Sequence, residues 1–263
     1  MKVIAVVAQK GGVGKTATAA AIISYLSSIR KRVLAIDLND QGDLSDTLGA
    51  TATPSGALAV LTGAKITDKV QDANLVGVDV LTGAEELAMM ENLIRINGRE
   101  RATILREAIR PLRRYYQYCI IDAPGSFNSG MLNALACADY VVIPSHADFY
   151  SLRGIKRLVD NIKTVQMDIN PDLQVAGVLL TRFQGRRNLS RDAVDALQGA
   201  EKMLGVKLFD TRIRDNTKIA EAPGHHKAIL DYAPGSIGAE DYRAFMAELF
   251  QIIGGNKDDG NEK

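Results

Sequence analysis

The segment Lys2–Ile29, KVIAVVAQKGGVGKTATAAAIISYLSSI, constrains the fold more than any other part of the chain. Its first residues, Lys2–Ala8, form a continuous Val/Ile-rich apolar run, the pattern of a strand buried on both faces. From Lys15 onward Ala, Ile and Leu recur at helical spacing. Between the two lie Gly11, Gly12 and Gly14, which permit positive φ angles and close approach of a ligand to the backbone. A glycine-rich turn from a strand into a helix points backbone N–H groups and a helix N-terminus at an anion. The expected occupant is a nucleotide phosphate chain lying along Gly11, Gly12, Val13, Gly14, Lys15, Thr16 and Ala17. Lys15 then reaches the β/γ-phosphates and the Thr16 hydroxyl ligates Mg²⁺. An ordinary turn with two incidental lysines is the bland alternative; the agreement of strand, loop, Gly-Lys-Thr and helix argues against it.

The rest of the chain repeats the alternation. Continuously apolar runs at 32–38, 118–124, 139–145, 173–181 and 206–211 read as further strands. Amphipathic stretches at 84–95, 99–113, 151–166, 188–203 and 239–253 read as helices. This order predicts an α/β fold, a doubly wound and mostly parallel sheet with helices on both faces. Residues 49–83 are the least periodic and read as an irregular excursion over the nucleotide side. Residues 1–253 are expected to form one domain, and 254–263, GGNKDDGNEK, a disordered polar tail.

A second element of the nucleotide reading is YCIIDAPG, where Asp122 follows an apolar strand. A carboxylate at that place helps hold Mg²⁺ in nucleotide hydrolases, and open α/β sheets bind ligands at the C-terminal ends of their strands. Outside such a context an Asp after a strand is often only a turn former.

The phosphate loop departs from the general pattern, because Gln9 stands where its first glycine belongs and Lys10 precedes the glycines. The motif K-G-G-x-G-K-T, Lys10–Thr16, resembles the deviant Walker A motif of the ParA/MinD family of ATPases. The resemblance continues through LAIDLNDQG, VIPSHADFYSLRGIKRL, GVLLTRFQGRRNLS and IRDNTKIAEAPGHHKAILDYAPGSIGAEDY, and so covers nearly all of residues 1–253. It is nearer to the partition ATPases than to the MinD branch. It implies that Lys10 crosses a dimer interface to the partner's nucleotide, so that ATP closes a homodimer. It implies that Asp37 sits near Mg²⁺, and that position 39, an Asp in the family and Asn39 here, orients the attacking water. Glutamine does that task in some GTPases, so Asn39 can act by positioning alone; Asp40 is the neighbouring candidate. Ile213 and Asn216 fall near the family's adenine pocket. The implied partners are non-specific DNA and a centromere-binding, ParB-like protein. Arg186, Arg187, Arg191, Arg214 and Lys218 are the DNA-contact candidates, each weighed against a plain solvated charge.

Composition narrows the alternatives. The net charge is +1, so DNA binding must come from local patches. The stretch 110–118, RPLRRYYQY, reads as a helix end with core tyrosines rather than a base-stacking platform. Cys119 and Cys137 lie in apolar segments and read as buried thiols, without the bridging pattern of a metal-cluster reductase. His225-His226 reads as a surface turn rather than a metal site. The start reads as a strand and not a signal peptide, and no run approaches the ~18 apolar residues of a membrane span. The expectation is a cytoplasmic, nucleoid-associated ATPase with no membrane contact. Two other readings are a nucleotide-switched binding module with very weak hydrolysis, and a MinD-like membrane switch, which needs a basic amphipathic C-terminal helix.

Overall fold

The computed structural model describes residues 1–51, 56–89, 102–148, 151–185, 194, 197–199, 201–202 and 204–254. The proposed tail from 255 onward, most of the helix expected at 188–203, and Arg186, Arg187 and Arg191 lie outside these residues.

The described strands are β1 (Lys2–Val6), β2 (Val33–Asp37), β3 (Gln71–Asp72), β4 (Val78–Leu81), β5 (Tyr118–Asp122), β6 (Tyr140–His146), β7 (Gln174–Phe183) and β8 (Leu208–Arg214). They form a sheet in the order β3-β4-β2-β5-β1-β6-β7-β8, with every pairing parallel except that of β3 with β4. Because successive strand residues point to opposite faces, Val3, Ala5 and Val7 enter one apolar layer and Ile4 and Val6 the other. Helices Ile104–Ile109, Ser129–Cys137 and Ser151–Asp168 cover the first layer. Lys15–Ser28, Ile229–Tyr232 and Ile237–Ile253 cover the second. Burial on both faces accounts for the continuous apolar runs in the sequence. The fold is a doubly wound α/β fold of the P-loop NTPase type.

The apolar helices are punctuated by side-chain caps. Asn128 accepts from Met131 N at the start of Ser129–Cys137, and Ser236 caps Ile237–Ile253 through Ala239 N. Lys2 Nζ donates to the carbonyls of Ile253 and Gly254, both at 2.8 Å, tying the end of the last described helix to the first strand. Phe209 packs edge-on against Phe245 at 5.0 Å between ring centroids, joining β8 to that helix.

Residues 49–83 differ from the expectation. Instead of an irregular excursion, they contribute a short helix, Gly56–Leu61, and the strands β3 and β4, with β4 extending the parallel sheet beside β2. β4 is four residues long and β3 two, too short for a periodicity to register. The expected helix at 99–113 is confined, among the described residues, to Ile104–Ile109, after which Pro111 enters a 3₁₀ turn. The tyrosines that follow, expected in the core, divide. Tyr116 is buried and donates to Asp79 at 2.6 Å, while Tyr115 is exposed beneath the Arg114 guanidinium.

Cys119 and Cys137 are free and fully enclosed. Burial pushes the Cys137 thiol up to about 12, and burial together with the nearby Cys137 pushes Cys119 well above the ordinary thiol range. The folded protein is therefore expected to give no reaction with a thiol reagent such as DTNB at pH 8, and both thiols to react after denaturation. A thiol titrating in the native state would contradict this packing.

Candidate nucleotide site

The loop from Gln9 to Gly14 leaves the C-terminal end of β1 and enters helix Lys15–Ser28. Gly14 serves as N-cap at φ 82°, and Gly12 is also left-handed at φ 70°, conformations that an L side chain resists. Gly11, expected to share this geometry, does not have a positive φ; a Cβ there meets nothing within 4 Å. The helix has no side-chain cap and no acidic residue in its first turn, so its N-terminal N–H groups and partial positive charge face the loop. Val13 is buried, and its carbonyl accepts the Thr181 hydroxyl at 2.8 Å. Thr181 also touches the Ser145 carbonyl at 3.3 Å, so the tips of β6 and β7 brace the loop from behind.

Parallel register sets Asp37 on β2 directly beside Asp122 on β5, and neither has exposed surface. Thr16 Oγ1 donates to Asp122 Oδ2 at 2.7 Å, which joins the phosphate-loop helix to the second carboxylate. Asp37 is engaged on both oxygens. Oδ1 accepts Asn39 N at 3.0 Å, and Oδ2 accepts the Ser45 N and Oγ at 2.9 and 2.8 Å. Asp122 Oδ2 takes a second bond from Asn39 Nδ2 at 3.0 Å, whereas Oδ1 is buried with no partner. Burial first, and then the charge of Asp37, raises the Asp122 carboxyl far above the ordinary carboxylate range. Burial likewise raises Asp37 against the pull of its Ser45 and Asn39 bonds. A buried acceptor without a donor, beside a second buried acid and a threonine hydroxyl, is the donor set of a hard divalent cation. The site fits Mg²⁺, with Asp122 and Thr16 as its best-placed holders and Asp37 at their side.

Lys10 lies at the outer rim with about half of its side chain exposed, and its Nζ bonds Asp148 Oδ2 at 2.6 Å. Burial would raise the Asp148 carboxyl, but the bonds from Lys10 and from Ser151 outweigh it and hold it below its usual range. His146 lies nearby; burial and then the charges of Lys10 and Arg182 lower its imidazole. Arg182 adopts φ 48°, an uncommon backbone state for a non-glycine residue.

The remaining candidates are dispersed. The Ile213 side chain is 1% exposed and packs in the layer under helix Ile237–Ile253, so it offers no side-chain surface to a nucleotide. Asn216 caps helix Thr217–Glu221 by accepting Lys218 N at 2.9 Å. Arg214 is bound by Asp241 through two guanidinium nitrogens at 3.0 and 2.6 Å, and its backbone N–H also donates to Asp241. Lys218 pairs with Glu221 at 2.7 Å and remains exposed. His226 meets Asp46 at 3.1 Å and His225 stacks on Tyr232. Among the described residues no cluster of three His, Cys, Asp or Glu is arranged for a metal.

Sequence reasoning missed Ser45, Thr181, Asp148 and Gly83. Gly83 backs the switch-like loop: a Cβ there would collide with the Asn39 carbonyl and stand 2.8 Å from Asp37 Cγ. None of the four belongs to a short motif; each is brought in by tertiary packing. Thr181→Val keeps the shape but strands the Val13 carbonyl. It is expected to cost roughly 1–3 kcal/mol in urea unfolding and to weaken ADP binding several-fold by calorimetry. Unchanged values for both would show that Thr181 does not brace the loop.

Comparison with known proteins agrees with this geometry. A family model described as an AAA domain matches residues 1–175. The sporulation initiation inhibitor protein Soj of Bacillus subtilis is 34% identical over 256 residues, covering 94% of this chain and 98% of its own. The chromosome-partitioning ATPase Soj of Thermus thermophilus is 36% identical over 250 residues, covering 95% and 96%. Among solved structures, a cobyrinic acid a,c-diamide synthase from Mycobacterium smegmatis with bound ADP and magnesium superposes with a TM-score of 0.82 at 29% identity, covering 98% and 97%. The fold is therefore shared by proteins named for different tasks, and the loop, the carboxylates and the near-full-length relatives decide between them. The chain belongs to the Soj/ParA family of chromosome-partitioning ATPases.

Proposed function

We propose that this protein is a DNA-partition ATPase, a P-loop domain over residues 1–253, cytoplasmic and nucleoid-associated. Two copies close around ATP, bind DNA without sequence preference, and hydrolyse slowly until a ParB-like, centromere-binding partner stimulates them. The observation that carries this reading is the pair of lysines in one loop. Lys15 opens the helix that follows the loop, whereas Lys10 precedes the glycines, is half exposed and is held only by the Asp148 pair among the described contacts.

A phosphate chain seated on the loop would meet the N–H groups of Gly11, Gly12, Val13, Gly14, Lys15, Thr16 and Ala17. Mg²⁺ bound at Asp122 and Thr16, near Asp37, supplies neutralisation of phosphate charge. The chain's own residues do the rest: Lys15 neutralises the γ-phosphate in cis, and Lys10 does so across the dimer. Phosphoryl transfer depends mostly on positioning and electrostatics, so a lone subunit lacking its neighbour's lysine is slow. Lys10 must leave Asp148 to reach across. An exposed ion pair of this kind is worth about 0–1 kcal/mol, and a phosphate chain is a far stronger competitor.

Asn39 favours a second reading, a nucleotide-switched binding module with very weak turnover, because it stands where the family has an acid and its amide is engaged by Asp122. Phosphate release measured with and without DNA and partner separates the two. For DNA, Arg186, Arg187, Arg191 and Lys218 remain the candidates, whereas Arg214 is committed to Asp241. Against a membrane switch, the helix Ile237–Ile253 buries its apolar face in the core, and no described helix is long and apolar enough to cross a membrane.

Lys10→Ala is expected to keep nucleotide binding while abolishing ATP-dependent dimerisation and stimulated turnover. Light scattering and phosphate release read the two effects, and normal behaviour in both would refute the crossing lysine. DNA retention should require ATP and weaken steeply with salt. Replacing Arg186 and Arg187 together with alanine should weaken retention and lower the salt slope by roughly two units. An unaltered slope would move the DNA surface away from this loop.

A further inference from the structure

Asn39 occupies a place that the nucleotide site does not explain by water positioning. Its carboxamide is turned inward, donating from Nδ2 to Asp122 Oδ2 at 3.0 Å, while its backbone N–H donates to Asp37 Oδ1 at 3.0 Å. One residue thus spans both buried carboxylates. The loop behind it is anchored at a second point, where Ser45 bonds Asp37 and accepts Gly83 N at 3.0 Å. Between these anchors Asp40 and Gln41 are exposed, and Gly42 turns at φ 66°. The Asn39–Asp122 bond is the side-chain tie that holds the front of this loop, residues 39–42, against β5.

We infer that Asn39 is a positioning residue that acts through Asp122. Its amide stands in for the divalent cation in the metal-free protein, and cation binding, rather than phosphate binding, releases the loop. The argument is one of charge and valence. Two carboxylates side by side without exposed surface need donors or a cation. Thr16 and Asn39 donate to one Asp122 oxygen and the Lys15 charge acts on the carboxylate, while its second oxygen has no hydrogen-bond partner. Thr16 and Asn39 both donate to Oδ2, so a cation held between Thr16 and Asp122 meets the oxygen that the amide occupies and supplies more compensation there than an amide can. An aspartate at position 39 would replace this amide donor with a third acid beside the pair. Asparagine therefore gives this chain a loop that is closed before the metal arrives, whereas the resemblance implies that Asn39 orients the attacking water.

The inference rests on the reading of this site as one for nucleotide and Mg²⁺, and the experiment separates the two. Hydrogen exchange of the Asn39 and Gly42 amides, the two of this loop that have acceptors, is followed in the full-length protein under three conditions: EDTA alone, ADP with EDTA, and ADP with Mg²⁺. Calorimetry of Mg²⁺–ADP binding runs beside it. The wild-type loop is expected to stay protected in the first two conditions and to exchange at least tenfold faster in the third. Asn39→Ala should exchange fast in all three, with a ratio near one between conditions. Asn39→Asp should melt roughly 2–4 °C lower than wild type in EDTA and recover on addition of Mg²⁺. Release by ADP in EDTA, a wild-type loop indifferent to Mg²⁺, a protected loop in Asn39→Ala, or an Asn39→Asp protein as stable as wild type in EDTA would each overturn the inference. If Mg²⁺–ADP does not bind the wild type at all, the reading of the site itself falls, and this inference with it.

Discussion

Strands β2 and β5 run parallel and in register to their last residues, which brings Asp37 and Asp122 side by side with no exposed surface. Adjacent strands lie about 4.8 Å apart, so neither acid can withdraw from the other without breaking the sheet. The surrounding chain is organised to make this tolerable. Ser45 and the Asn39 backbone serve Asp37, while Thr16 and the Asn39 amide serve Asp122. These contacts join the phosphate-loop helix to the loop after β2. A cation at this pair would act on both segments at once, because both are already bonded to the same two carboxylates.

Behind the loop, at Val13 and the start of the helix, the contacts are between neutral groups, while the Lys10–Asp148 pair lies at the outer rim. Thr181 ties Val13 to the ends of β6 and β7, and the Thr18 hydroxyl lies 3.2 Å from that of Tyr242 on the helix Ile237–Ile253. The loop therefore has a pair of buried acids toward β2 and β5 and a neutral brace from Thr181 of β7 at Val13. Movement on nucleotide exchange is easier on the charged side, where bonds can be traded for a cation, than on the side where their loss strands a buried carbonyl.

Much of this was legible before any coordinates. Val3 to Val7, Val33 to Ile36 and Cys119 to Ile121 are unbroken apolar runs, and each became a strand covered on both faces. Thr16 and Asp122, which the fold brings into a hydrogen bond, could be singled out beforehand because each lies within a short motif. What was missed is non-local. Ser45 and Gly83 bear on Asp37 from outside its own strand, and Thr181 lies in a family-like stretch that assigns it no contact with the phosphate loop. Asp148 was hidden because nothing in its neighbourhood announces Lys10, which is 138 residues away. Ile213 was misjudged for the opposite reason: its place beside a candidate pocket in sequence says nothing about which side of β8 its side chain takes, and it turns into the core. Arg214 reads as a free cation in sequence, and only the fold supplies Asp241.

The bond from Lys2 to the carbonyls of Ile253 and Gly254 has a practical consequence. It places the end of the last described helix at the N-terminal edge of the sheet, while the phosphate loop leaves the other edge. The four steps of β1 from Lys2 to Val6 span about 13 Å. A fluorophore attached near Gly254 would thus sit behind the sheet, clear of the face that receives nucleotide. It would still lie close enough to a fluorescent nucleotide for strong energy transfer, so that one label reports the filling and emptying of the site without standing in its way.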